Sequence, residues 1–204
     1  MSVHAQLERI RDRFLALAKD PPYRIVDSDA AAVEAYQRQQ VDFEGCSEAE
    51  IAELERRFDL KFPAAFRAFL EVMGRRHGAL FADCLCGLAD FDEVARRAED
   101  LLDETDDQVR LPSRSFVFLL RDGYQFCFLA TRSGADDPAV FQYTEGDHEP
   151  EQIADSFTAY LDQETSAAEE AHRDHHAQGG FELSVQQNPD GSLSTTLRFK
   201  PKKR

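Results

Sequence analysis

Residues 46–70 read CSEAEIAELERRFDLKFPAAFRAFL and constrain the centre of the chain more tightly than any other stretch. Ser47 and Glu50 stand three apart, the spacing at which a serine hydroxyl and a glutamate carboxylate close a capping box around a helix N-terminus. Ile51, Leu54 and Phe58 then fall on one face of that helix. Pro63 opens a second helix, because a residue in the first turn has no intrahelical N–H bond to lose. Phe66, Phe69, Leu70 and Met73 give this helix a bulky apolar stripe, and Gly74 stops it. Two amphipathic helices set this close together need a larger core to bury their faces.

The chain has 204 residues, 42% hydrophobic and 31% charged, enough for one domain with extensions. It contains no run long enough to cross a bilayer and no basic head followed by an apolar export segment, so a cytoplasmic location is expected. Cys46, Cys84, Cys86 and Cys127 are too sparse for a disulfide scaffold, and reduced thiols are expected. A net charge of -15 argues against naked nucleic acid or a membrane surface as partner and in favour of a basic protein. Arg198, Lys200, Lys202, Lys203 and Arg204 run the other way. They read as a solvated tail, with RNA binding or docking onto the acidic body as the alternative.

Periodicity places an amphipathic helix over residues 3–18, with Leu7, Ile10, Phe14 and Leu17 on one face and Pro21 and Pro22 beyond its end. A shorter helix over residues 30–39 follows Asp27 and Ser28, both good N-cap types. Residues 79–88 read as a buried strand or a loop, and residues 90–102 as a helix with Phe91, Val94, Ala98 and Leu101 inward. Residues 115–120 and 124–131 are apolar, aromatic-rich runs joined by Arg121, Asp122 and Gly123, a hairpin signal. A third strand over residues 139–143 makes a meander. Residues 151–161 read as a helix burying Ile153, Phe157, Tyr160 and Leu161, with a polar continuation to His176. Beyond Gly179 and Gly180, two alternating segments around the turn at residues 188–191 form a C-terminal hairpin. An isolated hairpin is barely stable, so this one must join the main sheet, fold over a face of the domain, or pair with another subunit as a homodimer.

Three blocks of this order resemble the SUKH superfamily, which includes the yeast Smi/Knr-type cell-wall regulators and many bacterial immunity proteins. The first is the acidic helix from Ser47 to Phe58, then Phe62 with Pro63, then Phe66, Phe69 and Leu70. The second runs through residues 116–120, Asp122 and Gly123, residues 126–129, then Pro138, Val140 and Tyr143. The third is Ala154, Asp155, Ser156 and Phe157 followed by Tyr160 and Leu161. In place of the family's Asn-Gly-Gly turn stand Gly74, Arg75, Arg76, His77 and Gly78, and the chain has no Trp. The resemblance implies an α+β fold, a curved, mainly antiparallel sheet flanked by helices, used as a binding module without catalysis. It divides the chain into an N-terminal helical extension (1–41), a SUKH-like domain (42–162), and a polar helix end, hairpin and basic tail (163–204). In bacteria such proteins commonly neutralise toxins, often nucleases, delivered by contact-dependent or type VI secretion.

His172, His175 and His176 near Asp174 have helical spacing suited to a metal ion, but the segment is polar all round and reads as a solvent-exposed helix end. Cys84 and Cys86 lack a second pair to complete four ligands. Asp147, His148 and Glu149 could act as an acid-base set, but loop capping and solvation explain them. No nucleophile elbow, P-loop or dinucleotide turn occurs, so neither a cofactor nor a metal is expected. Two acidic groups are the better lead: Glu99, Asp100, Asp103, Glu104, Asp106 and Asp107, and Asp136, Asp137, Glu145, Asp147, Glu149 and Glu151. As a set they suggest a phosphate mimic that occludes the basic cleft of a nuclease toxin. The rival readings are a non-catalytic regulatory scaffold of the Smi/Knr type in cell-wall or stress control, and a metal-dependent hydrolase built on residues 172–176.

Overall fold

The computed structural model describes residues 2–82, 84–104, 109–131 and 134–200. Helix α1 (Val3–Leu17) is capped by Ser2, whose hydroxyl accepts from the Ala5 amide at 3.3 Å. It buries Leu7, Ile10 and Phe14 in the central core. Strand β1 (Tyr23–Ile25) and helix α2 (Ala30–Val41) follow. Asp29 holds the N-cap position of α2 but makes no side-chain cap bond. The Ser28 hydroxyl is engaged elsewhere, donating to the Val26 carbonyl at 2.8 Å and accepting from the Val185 amide at 2.7 Å.

Strand β2 (Phe43–Glu44) leads into the two central helices, α3 (Glu48–Arg57) and α4 (Ala64–Met73). The capping box forms: the Ser47 hydroxyl accepts from the Glu50 amide at 3.4 Å, and the Ser47 amide donates to the Glu50 carboxylate at 2.9 Å. Glu48 and Glu50 in the first turn and Arg56 and Arg57 in the last complement the helix dipole. Pro63 stands at the N-cap of α4, one position before its first turn, and Gly74 is its C-cap. Strand β3 (Arg76–His77) then pairs antiparallel with β2.

The approach of the β2–α3 link to α4 requires a glycine. The Cys46 amide donates to the Leu70 carbonyl at 2.7 Å, and a Cβ on Gly45 would collide with the carbonyl oxygen of Glu71. Gly45→Ala is therefore expected to cost about 2 kcal/mol of stability. The loss would be read as a lower urea midpoint with an unchanged slope; an unmoved midpoint would mean the two segments can part freely.

Between α3 and α4 the chain turns around a buried carboxylate. Glu55, 5% exposed, accepts from the Phe62 amide at 3.0 Å, the Lys61 ammonium at 2.8 Å and the Arg67 guanidinium at 3.0 Å. Burial alone would raise its pKa. The hydrogen bonds from Lys61, Phe62 and Arg67 outweigh burial and hold the carboxyl below its ordinary range.

Strand β4 (Cys84–Leu85) and helix α5 (Phe91–Asp103) precede β5 (Ser115–Arg121), β6 (Gln125–Ala130), β7 (Val140–Thr144) and β8 (Glu151–Ala154). They form an antiparallel sheet in the order β4-β5-β6-β7-β8. The meander thus gains a strand on each side. Among the described residues of 79–88, only Cys84 and Leu85 are strand. Residues 151–154, expected to be the start of a helix, pair with β7 instead, and the helix begins after Ser156. Ser156 explains the switch: its hydroxyl accepts from the Ala159 amide at 3.1 Å and caps the next helix there.

The sheet is buried on both faces, which accounts for the unbroken apolar run in β5. One face packs Phe116, Phe118, Cys127, Leu129 and Val140 against the central core. The other packs Val117, Leu120, Phe126, Phe128 and Tyr143 against Val94, Ala98 and Leu101 of α5. A register shift between Val117 and Leu119 lets Phe118 and Leu119 both face the central core.

Helix α6 (Phe157–Gln178) runs past residue 162 without a break and packs against α1. Arg13 of α1 forms a two-pronged bond to Glu169, both contacts at 2.8 Å, and reaches Asp162 at 3.0 Å. Strands β9 (Phe181–Gln187) and β10 (Leu193–Phe199) form the C-terminal hairpin. This hairpin does not join the main sheet. It pairs with β1 to make a second sheet, order β1-β9-β10, in which β1 and β9 are parallel. Ala32 and Tyr36 of α2 cover Leu183 and Val185, so the two ends of the chain build one small layer together.

Candidate protein-binding surface

Glu99, Asp100, Asp103 and Glu104 lie on the exposed side of α5, opposite its buried face of Phe91, Val94, Ala98 and Leu101. Arg96 bonds to Asp100 at 2.7 Å and to Glu93 at 2.7 Å, and Arg97 bonds to Glu93 at 3.0 Å, so part of this charge is balanced within the helix. The direction of α5 decides where the remainder points. Phe91 packs on Phe116 at the start of β5, ring centroids 5.4 Å apart, and Arg97 lines a hollow with Leu120, Asp122 and Gly123 at its end. The last turn of α5, with Asp103 and Glu104, is therefore carried toward the end of the sheet that holds the β5–β6 turn.

Glu145, Asp147 and Glu149, all exposed, occupy the β7–β8 connection at that same end. The Glu145 amide donates to the Tyr124 carbonyl at 2.8 Å and ties this connection to the β5–β6 turn. Among the described residues, Glu99, Asp103, Glu104, Glu145, Asp147 and Glu149 make no ion pair.

Asp136 and Asp137 are placed differently. They lie in the β6–β7 connection, at the opposite end of β7, and both have structural duties. The Asp136 carbonyl accepts from the Ala65 amide in the first turn of α4 at 2.8 Å. The Asp137 carboxylate accepts from the Thr158 amide at 3.1 Å and the Thr158 hydroxyl at 2.5 Å at the start of α6. The second acidic group of the sequence is thus split between two ends of the sheet. Asp106 and Asp107 lie outside the described residues, as do Lys202, Lys203 and Arg204.

The histidine group has other partners. The Nε2 atoms of His172 and His176 lie 2.7 and 2.8 Å from the Asp20 carbonyl oxygen, and both are oriented to donate to it. The His175 ring packs on Phe181 at 4.4 Å between centroids. No group of three or more His, Cys, Asp or Glu side chains placed to hold a metal ion occurs among the described residues. An open hollow of about 640 Å³ separates the α3–α4 turn from residues 134–136, but Arg56 and Lys61 on its wall are bonded to Glu53 and Glu55.

A second hollow brings together His77 of β3, Cys86 and the α5 N-cap Asp90 beside Arg75 and Arg76, a set with no sequence signal because its members come from separate short segments with no shared spacing. Burial pushes the His77 imidazole down, the Asp90 carboxyl up and the Cys86 thiol far up. The His77 Nδ1 contacts the Leu80 carbonyl. Burial likewise raises Cys46 to about 11 and Cys127 to about 12. Since the thiolate is the attacking form, these three thiols are held in the unreactive state at neutral pH.

These features define a class: an α+β domain in which a capped helix pair leads into an antiparallel sheet and a serine-capped helix closes it. The sequence model of the SMI1 / KNR4 family (SUKH-1) matches residues 45–163, more than half of the chain, and the chain belongs to that family. The match runs from the Gly45 contact through the first turns of α6. Helices α1 and α2 and the β1-β9-β10 sheet lie outside it. Among curated proteins, none matches the chain. No helix among the described residues is long and apolar enough to cross a membrane.

Proposed function

We propose that this protein is a bacterial immunity protein, acting in the cytoplasm, that binds a cognate secreted toxin and neutralises it by occlusion. Family membership supports an immunity or regulatory role, and charge narrows the partner. The observation that carries the reading is the exposed acidic edge made by the last turn of α5 and the β7–β8 connection, on a chain of net charge -15. A nuclease must present Lys and Arg to its substrate phosphates. Carboxylates in a matching array draw such a surface in by long-range attraction and cover the cleft. The chemistry is binding, with no bond made or broken.

The test is a charge-reversal triple, Glu145→Lys, Asp147→Lys and Glu149→Lys, mixed with the toxin encoded beside the gene. These side chains are exposed and make no ion pair among the described residues, so the fold should survive, and the association rate at low salt should fall by about 10- to 100-fold. Raising the salt should erase most of that difference. An unchanged association rate, with protection from killing intact, would sink the acidic-edge reading. Absence of any complex between the wild-type pair would sink the immunity reading altogether.

A further inference from the structure

Strand β10 is the outer edge of the β1-β9-β10 sheet, and nothing among the described residues pairs with its other side. Ser194 to Phe199 are all exposed. The strand carries little of the usual edge protection: its sequence, LSTTLRF, has no Pro, no Lys and a single charge, Arg198, near its end. Its outward hydrogen-bonding groups can be named. The Lys200 amide donates to the Gly180 carbonyl at 2.8 Å, and the Asn188 amide donates to the Ser192 carbonyl at 2.8 Å. In an antiparallel ladder these bonds alternate, so even-numbered residues of β10 turn their backbone toward β9 and Leu193, Thr195, Leu197 and Phe199 turn theirs outward. The same four side chains share the face of Leu183 and Val185. Leu193 packs against the cluster of Ala32, Leu183 and Val185, but Leu197 and Phe199 stay 45% and 52% exposed, an uncovered apolar ledge.

We infer that this edge pairs antiparallel with β10 of a second copy, about a two-fold axis at Thr196. That register satisfies every outward N–H and C=O of the strand, because it sets Leu193 opposite Phe199 and Thr195 opposite Leu197 of the other copy. Arg198 meets Ser194, so no like charges face each other. The basic end runs beside the other copy's 188–192 turn, whose Asp190 carboxylate is held ionised by the Ser192 amide at 3.0 Å and hydroxyl at 2.7 Å; Arg198 is the cation that faces it, since Lys200 is ion-paired with Glu182 of its own chain at 2.5 Å. Opposite charges thus meet at both ends of the contact, offsetting locally the repulsion between two acidic chains. The inference stands apart from the toxin reading, since the acidic edge belongs to the other sheet.

Sedimentation equilibrium of the full chain should give a mass that rises from one toward two chains with concentration. Leu197→Pro deletes one outward N–H while keeping the bonds to β9, and should hold the mass at one chain. Across the axis the two Thr196 Cα atoms would stand about 4.5 Å apart, within disulfide reach. Thr196→Cys should therefore cross-link under mild oxidation at least about tenfold faster than Ser194→Cys, whose partner is Arg198. Cys46, Cys86 and Cys127 are buried and Cys84 half-buried, so the wild type supplies the baseline. A mass of one chain at every concentration overturns the inference, as does a dimer that survives Leu197→Pro. Equal cross-linking of the two cysteine variants does so as well, and that comparison holds even if the proline variant misfolds.

Discussion

Phe66→Ala is expected to lower the free energy of unfolding by about 4 kcal/mol. The Phe66 ring, 0% exposed, is surrounded by Phe62, Phe69, Phe116, Phe157, Phe118 and Phe91, with centroids 5.1, 5.7, 5.2, 5.3, 5.9 and 6.2 Å away. These rings come from α4 and its N-terminal link, α5, β5 and α6. A cavity walled by several rigid elements cannot collapse, so the full transfer and cavity costs are felt. In a domain whose net stability is about 5–15 kcal/mol, the variant would stand near the limit of folding. Urea unfolding measures it, and a loss below about 1 kcal/mol would mean that the rings repack around the missing one.

Glu55→Gln should cost about 3 kcal/mol at neutral pH, because Lys61, Arg67 and the Phe62 amide then face a neutral group in a nearly buried position. Its pH dependence carries a definite sign. The folded carboxyl titrates below the unfolded one, so its stabilisation is fully present above the unfolded value of about 4.3 and is lost as pH falls through the lower folded value. The gap between wild type and variant should stay constant from about pH 7 to pH 5 and narrow below about pH 4. A gap that widens on acidification would contradict the assignment of Glu55 as an ionised, bonded carboxylate.

Glu55 also shows what a linear reading misses. In residues 53–57, ELERR, it looks like one more exposed acid on a charged helix face. It becomes buried only because the chain reverses at Leu60 to Pro63 and brings Phe62 and Arg67 over it. Residues 151–154 misled in a related way: Ile153 and Phe157 share helical spacing, but β7 offers an unpaired edge that takes those residues as strand. Ser156 then marks the true helix start, a signal present in the sequence, and α6 begins six residues later than expected. The candidate site was partly legible. Exposure of the α5 acids followed from the spacing of Val94, Ala98 and Leu101, and the strand expected over residues 139–143 already sets Asp136 and Asp137 at one end and Glu145, Asp147 and Glu149 at the other, whereas the direction of α5 across the sheet, which brings Asp103 and Glu104 to the second of these ends, was not written in any local pattern.

The parts written into the chain as residues were the short-range ones: the Ser47–Glu50 box, the helical stripes of α1, α4 and α5, the Asp122–Gly123 turn and the excess of carboxylates. Each rests on groups within a few positions of one another, whose geometry the backbone repeat dictates. Assembly settled the rest: the pairing of β1 with β9, the burial of Glu55, the direction in which α5 carries its acids across the sheet and the open edge at β10. Those depend on which surfaces meet after the chain has closed long loops, and no local pattern encodes a neighbour more than 150 residues away, as Tyr23 is from Phe181.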